Sequence, residues 1–418
     1  MADVISALAR VRRTHLAYLL PDQVLLQLLR SLGVVWRQRR LTPLTTLRLF
    51  VLQVLFGNTS ITHLRQLSGL DFAPASYCEA RQRLNLRWIC RLIQWTVGQA
   101  TRLGPGMREL GPRVLVVDCS SFSMSDTPPL REHFGLPRAG GAKRGVSYPV
   151  AKFMALLDLA SGCFTRLIPG PLYRHKASGV IRLHRHLRDG DILLGDRAFC
   201  SFVHVALLSM RGVFACFRLH QVRHSVRRGL ECWSKPPRPP KWMTEEQFDR
   251  LPGSIQVRIV RYTTGRKGYR TRQVAIATTL LDEQAWPDAA IAELYGHRWT
   301  IETCFDHLKT TLRMNVLKCQ SLGGIQRELL VYLLVYNLIR LAMLASAAAQ
   351  GRAADRISFV DAMRYLAARL AGLRGIARLL CVPHRPGRRQ PRAIRRRLKE
   401  YDLLVEPRHV RIAQENQL

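Results

Sequence analysis

Between Val114 and Leu219 the apolar residues leave helical spacing and gather into short continuous runs, and this change restricts the fold more than any other feature. Val114 to Val117 is an unbroken apolar run ending in Asp118, as expected of a strand covered on both faces. Lys152 to Leu159 and Cys163 to Ile168 form two further expected strands, joined by the turn residues Ala160-Ser161-Gly162. A helix is expected over Val180 to Leu187 and a short strand over Ile192 to Leu194, with Gly195-Asp196 directly after it. Phe202 to Met210 reads as helical and Val213 to Leu219 as extended. A hairpin-containing set of three strands, then helix, strand, helix, strand, is the order of an RNase H-like α/β fold. In that fold the first and fourth strands are neighbours, which would bring Asp118 and Asp196 together.

The flanking segments differ. Residues 1–105 read as helical: DQVLLQLLRSLGVVW and TPLTTLRLFVLQVLFG carry apolar residues three and four apart, and Thr42-Pro43 has the form of a helix start. Arg81, Arg83, Arg87 and Arg91 fall in a further helix, and the breaker Gly104-Pro105-Gly106 closes the region. The α/β core is expected over 110–219 and 280–345. A β-rich insertion over 220–279 separates its two parts, with a Pro-rich loop, an extended pair at Gln256–Tyr262 and Arg270–Thr278, and a turn at Gly265–Gly268. A basic helical region follows over 346–418, with eight Lys or Arg between Arg385 and Lys399.

Lys and Arg number 65 against 29 Asp and Glu, a net charge of +36, so the natural partner is a polyanion. Nucleic acid ranks first, because arginine forks onto phosphate oxygens. A membrane surface ranks last, because the basic residues are spread through folded segments and not gathered on one amphipathic helix. Leu329 to Ala348 is long enough to span a bilayer, but Asn337 and Arg340 sit in its middle, which makes a buried helix the expectation. The N-terminal residues lack a secretory layout, and the ten cysteines include no C-x-x-C pair, so reduced thiols and a cytoplasmic, nucleoid-associated location are expected.

The chemistry concentrates in YGHRWTIETCFDHLK. On a regular helix Tyr295, Arg298, Glu302 and Lys309 lie at about 0°, 300°, 340° and 320°, within one narrow sector. A carboxylate beside two cations and a phenol suits a site that holds metal and phosphate together. The alternative is a solvated face with an i,i+4 pair between Arg298 and Glu302. Asp118 and Asp196 could complete the site, or could simply end a strand and cap the following helix. Three carboxylates in proximity repel unless a cation lies between them, and hard oxygen donors select Mg²⁺ or Mn²⁺. Two such ions, about 3.5–4 Å apart, clamp the attacking and leaving oxygens of an in-line phosphoryl displacement. Asp126, Glu132 and Asp158 are competing carboxylates, without so clear a strand before them. His184 and His186 lie two apart on the expected helix, on different faces, and are assigned a surface or phosphate role.

VVDCSSFSMSDTP, then GDRAF, then Y-x2-R-x3-E-x6-K at Tyr295, Arg298, Glu302 and Lys309 resemble the signature blocks of the insertion-sequence-four transposases. The resemblance covers about residues 110 to 345 and implies a DDE enzyme with an RNase H-like core and a β-rich insertion before the glutamate. It implies Asp118, Asp196 and Glu302 as ligands of two Mg²⁺ ions, with Mn²⁺ as a substitute. It further implies Arg298 and Lys309 as contacts to transposon-end phosphates, with Tyr295 bonding a phosphate close by. An insertion aromatic that stacks a flipped base is also implied. Trp233 and Trp242 are the candidates, and a core role is the alternative for each.

The expected function is therefore DNA transposition. Cuts at terminal inverted repeats would release 3′-hydroxyls that join to target DNA, in cut-and-paste fashion, by a homodimer acting on double-stranded DNA. The alternatives are a non-catalytic DNA-binding protein derived from a transposase and a structure-selective nuclease of the same fold.

Overall fold

The computed structural model describes residues 20–103, 111–137, 148–173, 176–219, 227–264 and 272–369. The basic run 385–399 and the turn Gly265–Gly268 lie outside them. Five helices come first: α1 (Asp22–Arg30), α2 (Pro43–Leu55), α3 (Ile61–Ser68), α4 (Pro74–Arg83) and α5 (Leu86–Leu103). The Thr42-Pro43 start is built as its chemistry suggests, with the Thr42 hydroxyl accepting from the Thr45 amide and proline in the first turn.

The central sheet has the strand order β3-β2-β1-β4-β5-β8-β7-β6. Strands β1 (Val114–Met124), β2 (Val150–Asp158) and β3 (Cys163–Pro171) form an antiparallel meander. Then β4 (Ile192–Gly195) and β5 (Phe214–Arg218) add in parallel on the far side of β1. This is the mixed sheet of an RNase H-like core. Helices α6 (Pro128–Phe134), α7 (Lys176–His184) and α8 (Phe202–Ser209) lie between these strands. Each strand expected from an apolar run is present, with ends shifted by three residues at most except for β1, which runs seven residues past Val117 to Met124.

The continuous apolar runs have a direct cause, since both faces of the sheet are covered. Val116, Ile192 and Leu194 face one core together with α5 and the long helix α12 (Leu322–Gln350). Leu115, Val117 and Leu193 face a second core under α7 and α8.

The strands of the expected insertion continue this same sheet. β8 (Arg272–Thr278) pairs antiparallel with β5, followed outward by β7 (Ser254–Thr264) and β6 (Gly229–Ser234). A short helix, α9 (Glu245–Asp249), is fixed by a reciprocal capping box between Thr244 and Gln247. On β7 the buried Arg258 pairs with Asp288 and donates to the Trp286 carbonyl at 2.7 Å. Asp288 opens α10 (Asp288–Gly296), so the insertion is tied to the helix that carries Tyr295.

The apolar segment around Leu329 is the core helix α12, with 83% of its most apolar stretch buried. Its two polar interruptions have partners on the hairpin. The Asn337 amide accepts from Phe164 N at 3.0 Å and donates to Phe164 O at 2.9 Å, completing backbone groups on the outer strand β3. Arg340 donates to the Ser161 carbonyl in the β2–β3 turn at 3.1 Å. A two-residue strand, β9 (Val316–Leu317), extends β1 in parallel at Ser123 and Met124, and was not foreseen.

Candidate active site

The parallel register of β1 and β4 sets Val117 opposite Gly195, so Asp118, still within β1 and paired with Ala155 of β2, lies beside Asp196, which directly follows the end of β4. Gly195 permits tight packing under this point, because a Cβ there would approach the rings of Phe199 and Phe217 at 3.0 Å. Asp196 begins a 3₁₀ turn over Arg197–Phe199, and its Oδ1 accepts from Ala198 N at 2.8 Å. The capping role of Asp196 is thus present, but on one carboxylate oxygen. Asp118 Oδ1 accepts from Cys119 N at 2.7 Å.

The run from Tyr295 to Lys309 is helical throughout but not regular. A 3₁₀ turn over His297–Trp299 follows α10, then α11 (Thr300–Asp306), then a wider π turn over His307–Thr311. The uniform 100° spacing therefore does not hold, and through tightened and widened turns the side chains reach the middle of β1 and the end of β4. The Tyr295 hydroxyl donates to Gly195 O at 3.3 Å and is buried. Arg298, 7% exposed, lies 3.8 Å from Asp118 Oδ2 through Nη1 and donates to Glu302 Oε1 at 3.0 Å through Nη2. The expected i,i+4 pair is therefore real, and the same guanidinium also reaches Asp118. Lys309 Nζ donates to Ser120 Oγ on β1 at 3.2 Å.

Burial works against the charge on Arg298, but Tyr295, Glu302 and Asp118 outweigh it and hold its pKa above the usual arginine value. Burial pushes the Tyr295 phenol well above its ordinary value, so this group stays protonated and donates. The three acids offer only hard oxygen donors, which suits a divalent cation of the Mg²⁺ type. Among the described residues, no three of His, Cys, Asp and Glu converge closely enough to hold an ion, and Arg298 is the cation shared by Asp118 and Glu302.

The competing carboxylates have other employment. Asp126 pairs with Arg131. Asp158 is buried and accepts from the Ser161 amide at 3.1 Å, closing the β2–β3 turn. Glu132 is exposed on α6. Trp233 is 5% exposed in the core behind β6, and Trp242 packs against the same core.

The surface role assigned to His184 is corrected. It is 2% exposed, and its Nε2 lies 2.9 Å from Nε2 of the fully buried His204. His204 Nδ1 lies 2.7 Å from the Phe199 carbonyl, in the turn that follows Asp196. A carbonyl only accepts, so neutral His204 is protonated on Nδ1 and accepts at Nε2 from His184. Sequence spacing gave no sign of this pair, whose members are twenty residues apart. Trp299, 53% exposed beside Arg298 with its ring 4.8 Å from the guanidinium carbon, also went unnoticed. Its only signal was an aromatic next to a motif arginine.

Comparison with known proteins gives a consistent family. The profile of the family described as "Transposase DDE domain" matches residues 109–338. The transposase InsG of insertion sequence element IS4 from Escherichia coli (strain K12) is 23% identical over 351 residues, covering 79% of this chain and 78% of that protein. The putative transposase InsZ of the same organism is 27% identical over 146 residues, or 34% of this chain and 47% of that one. Among solved structures, a cryo-EM structure of the piggyBac transposase synaptic complex with hairpin DNA gives a TM-score of 0.38 at 11% identity. It covers 62% of this chain, which spans about half (52%) of that one.

Proposed function

This chain belongs to the transposases with a DDE domain, and from that membership we propose that it cuts at the terminal inverted repeats of an insertion sequence and joins the 3′-hydroxyl ends to target DNA. The observation that carries the reading is the placement of Asp118, within β1, beside Asp196, at the end of the adjacent parallel strand β4, with Glu302 linked to Asp118 through Arg298. In this reading Asp118, Asp196 and Glu302 hold two Mg²⁺ ions, with Mn²⁺ as a substitute. Bound there, the metal supplies Lewis-acid stabilisation to the phosphoryl oxygens and lowers the pKa of water.

The chain's own residues have separate tasks. Loading requires Arg298 to release at least one of its two carboxylates, which frees its guanidinium to fork onto a DNA phosphate. Lys309, on the same side of the sheet end, contacts a second phosphate. Tyr295 acts through Gly195 by fixing the strand end from which Asp196 departs. Water displaces the 3′ oxygen at each end, and that oxygen leaves with a proton as a hydroxyl. The hydroxyl then attacks a target phosphodiester and displaces its 3′ oxygen, so the number of phosphodiester bonds is conserved in joining.

The surrounding parts complete the proposal. In this proposal residues 1–105 are the DNA-binding region, 110–219 and 280–345 the catalytic core, 220–279 the β-rich insertion and 346–418 the basic C-terminal region. Two subunits pair the two ends, excision is cut-and-paste, and the protein acts in the cytoplasm on nucleoid DNA.

The test uses the purified chain, linear DNA bearing its own element's ends, and a plasmid target, with Mg²⁺, with EDTA, and with Glu302→Ala. Metal-dependent joining that the substitution abolishes is the expected result. Cutting without joining would replace the transposase with a nuclease, and tight binding without cutting in Mg²⁺ or Mn²⁺ would leave a non-catalytic DNA-binding protein.

A further inference from the structure

We propose that the cleft between helices α2–α4 and the start of α12 is a subsite for a backbone phosphate of the bound DNA, a role that rests on the transposase reading. The cleft has a volume of about 400 Å³, and Arg81, Lys318 and Arg327 line it. None of the three is ion-paired to a carboxylate among the described residues. Their hydrogen bonds go to uncharged groups instead. Arg81 Nη1 donates to Gln53 Oε1 at 3.1 Å, Lys318 Nζ to Asn58 O at 2.6 Å, and Arg327 Nε to Leu84 O at 2.7 Å.

Three cations gathered on one cleft against a single nearby acid, Glu328, leave excess positive charge, and an anion between them relieves the repulsion. Arg81 adds a more specific sign. Its guanidinium is held 4.6 Å from the centre of the Phe50 ring, and its Nε is buried without any acceptor. A buried donor without a partner is uncommon in folded proteins, and a phosphate oxygen is an acceptor that would complete it.

The nearby acid offsets only part of this charge, through its effect on Arg81. Glu328 is fully buried, and its oxygens accept from Asn58 Nδ2 at 2.7 Å, Lys318 N at 3.1 Å and Cys319 N at 2.8 Å. It holds the 318–319 backbone in place from behind. Ser60 and Ser321, which cap α3 and α12, also line the cleft, so two helix N-termini open onto it.

The cleft also stands in a fixed relation to the candidate active site. β9 extends β1 at Ser123 and Met124, and Thr127 Oγ1 donates to Gln320 O at 3.0 Å. The segment carrying Lys318 is thus fastened to the far end of the strand that bears Asp118. From Asp118 to Met124 is about 20 Å of strand. The ligand is therefore a phosphodiester of the same DNA, set apart from the bond that is cut.

The experiment measures binding of the full chain to its own end DNA, with single phosphates replaced in turn by uncharged methylphosphonates. Wild type should lose about tenfold in affinity when the cleft phosphate is neutralised. Arg81→Gln and Lys318→Gln should each bind more weakly, show no added loss at that one phosphate, and keep the full loss at the others. Each should also flatten the log–log salt dependence by about 0.9.

Thermal melting identifies a variant that fails to fold, and the other variant then decides the matter. Losses that simply add at every phosphate would overturn the subsite while leaving DNA binding intact. Inorganic phosphate that binds the cleft, with no DNA phosphate coupled to Arg81 or Lys318, would assign it to a free anion and also overturn the proposal. Wild type that binds no end DNA would overturn the transposase reading and the subsite with it.

Discussion

The Tyr295 hydroxyl donates to the carbonyl of Gly195, the residue immediately before Asp196. A helix some hundred residues away in sequence thus fixes the strand end from which a proposed metal ligand departs. Tyr295→Phe keeps the ring and removes only this bond, at a cost of about 1 kcal/mol in stability. Its larger effect should be on Asp196. The Mg²⁺ concentration needed for half-maximal cleavage should rise, with end binding unchanged, as read from a metal titration and a binding isotherm. A weakened binding isotherm would instead mark Tyr295 as a DNA contact.

Asp118→Ala, Asp196→Ala and Glu302→Ala should each lower cleavage by about a thousandfold or more while leaving end binding close to wild type. A gel assay with labelled end DNA measures both. Normal cleavage by any one of these variants would remove that residue from the ligand set.

Arg298 stands between two carboxylates and in a buried position, so its removal acts twice. Arg298→Ala leaves Asp118 and Glu302 facing each other without a cation, and it deletes a proposed phosphate contact. Cleavage should be lost, and the log–log salt slope of binding should flatten by about 0.9. Arg298→Lys should restore the slope but not cleavage, because an ammonium keeps the charge but cannot fork onto a phosphate.

The His184–His204 pair makes stability depend on pH in a defined direction. Burial pushes His204 down from 6.5 to about 4, and burial with the His204 neighbour pushes His184 to about 2. Below the unfolded value the unfolded chain takes up protons that the folded chain refuses. Stability is therefore full above pH 6.5 and falls as the pH drops toward 4. Between pH 7 and pH 5 the loss should be about 2 kcal/mol for each buried imidazole. Urea unfolding at the two pH values measures it, and His204→Phe should remove part of the difference.

Asn337→Leu keeps the volume of a core position but leaves the Phe164 amide and carbonyl without partners. The expected cost is about 2–4 kcal/mol for two buried groups, read by thermal or urea denaturation. An Asn337→Leu protein as stable as wild type would mean that Phe164 finds other partners.

These effects differ in how far the sequence foretold them. Val114 to Val117 and Ile192 to Leu194 were legible as strands because both faces of the sheet are covered, which leaves no polar alternation to confuse the pattern. Asp118 and Asp196 were legible for the same reason, each lying directly beyond such a run. Tyr295 to Lys309 was legible as helical but not in its local winding, since the 3₁₀ and π turns depend on what the helix packs against. The His184–His204 contact and the Asn337–Phe164 bonds were hidden because both join distant segments through tertiary packing. The insertion showed the pair β7 and β8, but neither β6 nor the attachment of β8 to β5, because those pairings are properties of the assembled sheet.

Helix α12 packs against α5 on one side and β3 on the other, and residues from Leu20 to Leu366 share one apolar cluster with it. The helices that precede the sheet keep only a small apolar cluster of their own, formed by Leu49, Leu52, Leu64, Phe72 and Tyr77, and most of their buried surface lies in the shared one. They and the catalytic sheet should melt in one cooperative step, and a protease should release neither as a folded fragment. A recombinant that exchanged only residues 20–103 with a distant relative would have to repack α12 along its whole length. New DNA preferences in this lineage are thus expected to arise through substitutions on exposed helix faces and loops, and not through wholesale trading of the N-terminal region.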